Sequence, residues 1–161
     1  NAFCMPGGKI VVYEGLMKLV SSDDELAVVI GHEVAHAVAR HSNERISQEM
    51  LAQYGAQILS QSLSQKSAAI QNMANKVYGI GAQYGVVLPF SRKHESEADY
   101  MGLIFMTMAG YNPDVAINFW KKMSAGGGAQ VPEIMSTHPS DARRISDIQK
   151  ALPEIKAKYK K

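Results

Sequence analysis

Three observations predict a mainly α-helical, α+β fold with a small N-terminal β element. Capped segments with apolar residues at helical spacing fill most of the chain beyond residue 22. The β-branched stretch "KIVVY" stands apart near the N-terminus, separated from "NAFC" by the turn signal "PGG". The chain has 161 residues, 46% apolar and 20% charged. That is enough for one core and too short for two comfortable ones, so residues 1–161 read as a single domain.

Residues 1–13 are expected to form two short strands around a glycine turn. Residues 22–42 are expected to be one helix. Ser22 with Glu25 forms a capping box, and Asp23 and Asp24 suit the positive end of the helix dipole. At about 100° per residue, Leu26, Ile30, Val34, Ala37 and Val38 share a face that reads as the core face. His32, Glu33 and His36 fall on a neighbouring one. Residues 44–88 carry little charge and much Gln, Ser and Ala, predicting one or two helices with a break near 60–67. "LPFS" reads as a breaker and Ser91 as the cap of a helix over 92–109 that Gly110 ends. Asn112 and Pro113 cap and start another, through Trp120 to about Met123. Residues 125–130 read as a flexible glycine-rich loop, Ser140 as the cap of a further helix, and Pro153 as the start of a last short piece.

The formal net charge is +2, with basic residues dispersed outside the tail "KAKYKK", so nucleic-acid binding is not expected. A single cysteine, Cys4, excludes an intramolecular disulfide, and no partner pattern around it suggests a thiol enzyme. No run reaches the ~20 apolar residues that span a bilayer.

Chemistry concentrates in His32-Glu33-x-x-His36. Four residues apart on a helix, two imidazoles can each give a nitrogen to one Zn²⁺, and the intervening glutamate can carry protons for a bound water. A catalytic zinc commonly takes a third protein ligand. His41 lies about 180° round the same predicted helix, and Ser42 and Ala39 do not fit the spacing that supplies a histidine six residues on. His41 therefore reads as a structural, hydrogen-bonded core histidine. In "SRKHESEADYMG", Glu95 and Asp99 share a helix face. Glu95 can bind a metal and Asp99 can orient a ligating histidine, although the same charges would also suit a solvated surface.

Four motifs in order, "NAFCMPGGKIVVYEGLM", "DDELAVVIGHEVAHAVARHS", "SRKHESEADYMG" and "THPSDARRI", resemble the gluzincin family of metallopeptidases that includes HtpX, the CAAX prenyl endopeptidase and the periplasmic protease BepA. The resemblance covers nearly the whole chain. It implies a compact zincin (minigluzincin) fold with a short hairpin or edge strand beside the active-site helix. It also implies one Zn²⁺ per chain held by His32, His36 and Glu95, with Ala98 and Asp99 completing the E-x-x-A-D pattern and Glu97 at a variable position. Glu33 is then the general base and acid. His138 and Arg144, the latter favoured over Arg143 by its spacing from His138, are expected near the metal. Either could support an oxyanion, and His138 could alternatively be a fourth, resting-state ligand.

The strand Ile10, Val11, Val12 and Tyr13 offers an edge on which an extended or unfolded polypeptide could pair, unless the hairpin is purely structural. The expected activity is a zinc metalloendopeptidase of bacterial envelope quality control, periplasmic or membrane-attached, with any targeting or partner segment outside these residues. The alternative is a zinc-stabilised chaperone or interaction module with little turnover.

Overall fold

The structure is a computed structural model that describes residues 1–5, 7–125, 135, 138 and 142–160, without the side chains of residues 89 and 90. The chain divides into two compact units, one of residues 1–39 and 95–161, the other of residues 40–94.

In the first unit, β1 (Ala2–Met5) and β2 (Lys9–Val12) form an antiparallel hairpin, with Phe3 opposite Val11 and Cys4 opposite Ile10. Gly7 and Gly8 take φ of +87° and +79° in its turn, as the sequence signal implied. Tyr13 lies just beyond the strand, its N–H donating to Asn1 O at 2.8 Å, and precedes the short α1 (Glu14–Met17). Hydrogen bonding alternates along an antiparallel pair. Since Tyr13 pairs with Asn1, Ile10 and Val12 must turn their N–H and C=O groups away from β1.

α2 (Asp23–Val38) starts where Ser22 Oγ accepts from the Glu25 N–H at 3.2 Å. The Glu25 carboxylate returns the bond one residue earlier than in a capping box, accepting from the Ser21 N–H at 2.7 Å. The predicted core face of this helix is corrected by the structure. Leu26, Ile30 and Val34 are only half-buried along a cavity, and Val38 is 58% exposed. The buried face is Val28, Val29, His32, Glu33 and Ala35, because polar motif side chains with partners can be buried as deeply as aliphatic ones.

The predicted helix over 22–42 is also shorter. It ends at Val38, and Arg40 adopts φ +57° before α3 (His41–Ser62) begins. A non-glycine residue in that conformation costs about 1–2 kcal/mol, and no turn signal in the sequence announces it.

α5 (Leu88–Met108) begins earlier than the predicted 92–109 and follows a π-helical turn at Gln83–Val87. Pro89 lacks the N–H of an ordinary turn, and a local π adjustment is one way a helix absorbs that loss. Gly110 closes α5 as expected, with Gly110 N–H donating to Thr107 O and Tyr111 N–H to Met106 O, both at 3.0 Å. Asn112 Oδ1 accepts from the Asp114 N–H at 3.1 Å, and α6 runs Val115–Ala125.

α7 (Ala142–Tyr159) is one continuous helix with Pro153 inside it, not two pieces. Leu152 and Ile155, buried on either side of the proline, hold the helix on the core, offsetting the lost bond to Gln149. The loop expected at 125–130 lies outside the described residues beyond Ala125, as does the Ser140 cap. Phe119, Trp120 and Met123 of α6 pack with Ile148, Leu152 and Ile155 of α7 and with Val28 and Val29 of α2 to make the core.

In the second unit, α3 (His41–Ser62) and α4 (Ala68–Ala82) form a helical hairpin whose bend falls at the break expected near 60–67. Tyr78 Oη donates to Ala52 O at 3.1 Å across it.

Candidate metal centre

α2 and α5 meet at two glycines. A Cβ on Gly31 would lie 2.7 Å from Gly102 O, and one on Gly102 would lie 2.8 Å from the His32 amide nitrogen. Only residues without side chains allow so close an approach. His32 directly follows Gly31, while Glu95 and Asp99 sit two turns and one turn before Gly102 respectively, so this contact faces the two halves of the site towards each other.

His32 Nε2 and His36 Nε2 stand 3.0 Å apart. Glu95 brings Oε2 to 3.2 Å from the first and Oε1 to 3.3 Å from the second. His138 Nδ1 lies 3.2 Å from His32 Nε2 and from both Glu95 oxygens. One donor atom from each of these four residues lies within 4.8 Å of all the others. Imidazole lone pairs at such separations repel unless a proton or cation lies among them. A tetrahedral ion with ligands at about 2.1 Å would hold them about 3.4 Å apart, close to the distances found. This set of nitrogen and carboxylate donors therefore fits a divalent metal of the zinc type.

The surroundings fix these donors. Asp99 Oδ1 lies 3.0 Å from His32 Nδ1, so a proton there is donated to the carboxylate and Nε2 keeps its lone pair for the cluster. Arg144 donates to both Asp99 oxygens, from Nε at 2.7 Å and from Nη2 at 2.8 Å, and its Nη1 lies 3.1 Å from Glu95 Oε2 and 3.3 Å from His138 O. Trp120 completes the back wall, its ring 5.5 Å from that of His32 and 4.6 Å beneath the Arg144 guanidinium carbon.

Burial opposes ionisation of Glu95, but hydrogen bonds from His138, His32 and His36 outweigh it and hold the carboxyl far below its ordinary range. Asp99 is likewise lowered, Arg144 and His32 overcoming burial. His32 is raised to about 9, because its bonds to Asp99 and Glu95 overcome burial. His36 is lowered to about 4, by burial first and then by the neighbouring His32 charge. Glu33 is raised, mainly by burial. Its Oε1 is buried with no hydrogen bond among the described residues and faces His138 Nε2 at 3.3 Å.

The structure thus brings His32, Glu33, His36, Glu95, Asp99, His138 and Arg144 together. Arg143 and Glu97 are exposed. His41 is buried, as expected of a structural histidine, but it starts α3 instead of continuing α2, and it stacks on His94 at 4.2 Å in the second unit. Sequence reasoning missed Gly31, Gly102 and the packing role of Trp120. Small residues beside the motifs, inside the two helices that bear them, were the only available sign of the first two.

Comparison with known proteins agrees with this geometry. Residues 1–152 match the model of peptidase family M48. The mitochondrial metalloendopeptidase OMA1 of Schizosaccharomyces pombe is 39% identical over 160 residues, covering 98% of this chain and 45% of that protein. The Arabidopsis thaliana protein of the same name is 44% identical over 144 residues, covering 89% of this chain and 28% of that one. The beta-barrel assembly-enhancing protease of Yersinia pestis is 27% identical over 165 residues, covering 97% and 33%. The chain therefore spans less than half the length of these relatives. No solved structure matches. The expected bacterial envelope setting is met only in part, since two of these relatives are named mitochondrial. With a family match over most of its length and a relative 39% identical across 98% of it, the chain belongs to peptidase family M48.

Proposed function

We propose that residues 1–161 are a single catalytic domain of a zinc-dependent endopeptidase, with His32, His36 and Glu95 holding one zinc ion. The observation that carries this reading is the convergence of those three side chains beside the buried carboxylate of Glu33. When bound, zinc polarises a peptide carbonyl and lowers the pKa of a water. Glu33, its pKa raised by burial, is suited to take the proton of the attacking water and return it to the leaving amine.

His138 stands where it can serve as a fourth ligand at rest, or as a donor to the developing oxyanion once it swings aside. The Arg144 guanidinium is committed to Asp99 and Glu95, so its part is to position those carboxylates. An extended substrate would add to the outward edge of β2, using the backbone groups of Ile10 and Val12, with Val11 and Tyr13 alternating between them. Such pairing reads backbone more than sequence and favours unfolded chains. The relatives' names, a mitochondrial metalloendopeptidase and a beta-barrel assembly-enhancing protease, support proteolysis; quality control in a mitochondrion or a bacterial envelope is our extension of that reading.

The test is zinc per chain, without added metal or chelator, together with hydrolysis of labelled unfolded casein. Parent protein should carry close to one zinc and cleave. Glu95→Ala should lose most of the metal. Glu33→Gln should keep the metal and lose at least about a hundredfold in turnover. Undiminished zinc in Glu95→Ala would overturn the ligand set, and undiminished turnover in Glu33→Gln the mechanism.

A further inference from the structure

The α3–α4 hairpin has an apolar side that nothing among the described residues covers. On α4 and the turn after it, Ile70, Met73, Val77, Ile80 and Tyr84 are spaced alternately three and four apart, and each is more than half exposed. On α3, Ile46, Met50, Tyr54 and Ile58 repeat every four residues at 48–65% exposure. The other side of the hairpin is an open groove of about 670 Å³ that includes Gln53, Gln57, Ser60 and Asn75. At about 100° per residue, the groove-lining positions lie roughly opposite the apolar stripe on α4 and on the neighbouring flank on α3, where Gln53 precedes Tyr54 and Gln57 precedes Ile58. The hairpin therefore keeps a run of large apolar side chains in water, apart from the groove.

Charge selects the occupant. The hairpin's carboxylates are Glu44 and Glu49 near the start of α3, the latter lining the groove; from residue 50 to residue 94 there is no Asp or Glu, while Lys66, Lys76, Arg92 and Lys93 are all cationic. A second copy docked on this face would bring like charges together. An anionic lipid surface would be complementary to it in both charge and apolarity. Tyr54 and Tyr84 suit the headgroup level, where an aromatic ring meets an apolar and a wet layer. Among the described residues no helix is long and apolar enough to cross a membrane, so the contact would lie in the plane of the surface.

We propose that the α3–α4 hairpin docks in plane on anionic bilayers through this apolar side. The docking does not depend on the metal chemistry, and either reading can fail without the other.

The experiment is flotation of the full chain with vesicles of phosphatidylcholine and phosphatidylglycerol, and with phosphatidylcholine alone. Parent protein should float with the anionic vesicles and much less with the neutral ones. Met73→Asp/Val77→Asp and Lys66→Glu/Lys76→Glu should each weaken partitioning by about tenfold or more. All four positions are exposed, so circular dichroism of the variants should match the parent. Absence of flotation by the parent, or equal flotation of parent and Met73→Asp/Val77→Asp, would overturn the proposal. So would a parent dimer in sedimentation that this double variant abolishes without any vesicle binding, since a second copy would then be the occupant.

Discussion

Gly102→Ala separates helix propensity from packing at the metal centre. Alanine is the better helix former by about 1 kcal/mol, so the helix in isolation would gain stability. The packing predicts the reverse. A Cβ at Gly102 would stand 2.8 Å from the His32 amide nitrogen and 2.9 Å from the Gly31 carbonyl carbon, against an ordinary contact of 3.4 Å or more. The helices would have to part by about 0.6 Å. Overpacking of this kind costs about 1–3 kcal/mol, leaving a net loss of up to about 2 kcal/mol after the propensity gain. The same displacement would carry Glu95 and Asp99 away from His32 and His36. Zinc sites tolerate about 0.2 Å of error in ligand distance, and loss of supporting geometry weakens them by about 10–100-fold. Melting with and without zinc, and competition against a chromophoric chelator, read both effects. Gly81→Ala is the control: it lies inside α4 with nothing among the described residues within 4 Å of its Cβ position, so it should stabilise by about 0.4–1 kcal/mol. If Gly102→Ala behaved like Gly81→Ala and kept parental zinc affinity, the reasoning would be refuted.

Two further effects follow from the helix ends. Glu25 is held below its ordinary pKa of 4.5, because bonds from Lys122 and Ser21 outweigh burial. A carboxyl whose folded pKa is lowered contributes stability above the unfolded value and loses it as pH falls through the folded one. Lys122→Met should therefore cost about 0.5–1 kcal/mol in urea unfolding near neutral pH, kept small by the lysine's exposure, and less as pH falls through the lowered Glu25 pKa, leaving the part due to its bonds to Leu19 O and Ser21 Oγ. A cost independent of pH would count against the ion pair. Arg40→Gly should raise the melting temperature, by about 0.5–1 kcal/mol of relieved left-handed strain. A lower melting temperature would mean that the arginine side chain contributes more than its backbone costs.

How much of this was legible in the sequence depended on whether the determinant was local. The Ser22 cap, the Gly7–Gly8 turn and the Gly110 stop are written in neighbouring residues, and each is found where it was expected. The i, i+4 pairs His32/His36 and Glu95/Asp99 are local as well, and helical spacing alone placed each pair on one face. The errors arose where long-range packing overrules local preference. Arg40 breaks a helix without any breaker residue, and Pro153 fails to break one because Leu152 and Ile155 are buried beside it. The core face of α2 was assigned to its aliphatic stripe because hydropathy treats histidine and glutamate as surface residues. It cannot register that Arg144, more than a hundred residues away, would arrive to pair with their neighbours.

That arrival bears on why so polar a centre can be buried at all. Glu33, Glu95 and Asp99 are each no more than 7% exposed, and Arg144 is the buried cation set against them. Three carboxylates facing one guanidinium leave an excess of negative charge that a low-dielectric interior cannot hold cheaply. Protons are one remedy, and the rise of the His32 pKa to about 9 and the raised pKa of Glu33 both run in that direction. A divalent cation is the other, since its two charges with that of Arg144 would balance the three carboxylates while leaving the imidazoles neutral. A cation bound there would be part of the folded core, and a chelator should then lower the melting temperature of the parent more than that of Glu95→Ala, which carries one carboxylate fewer.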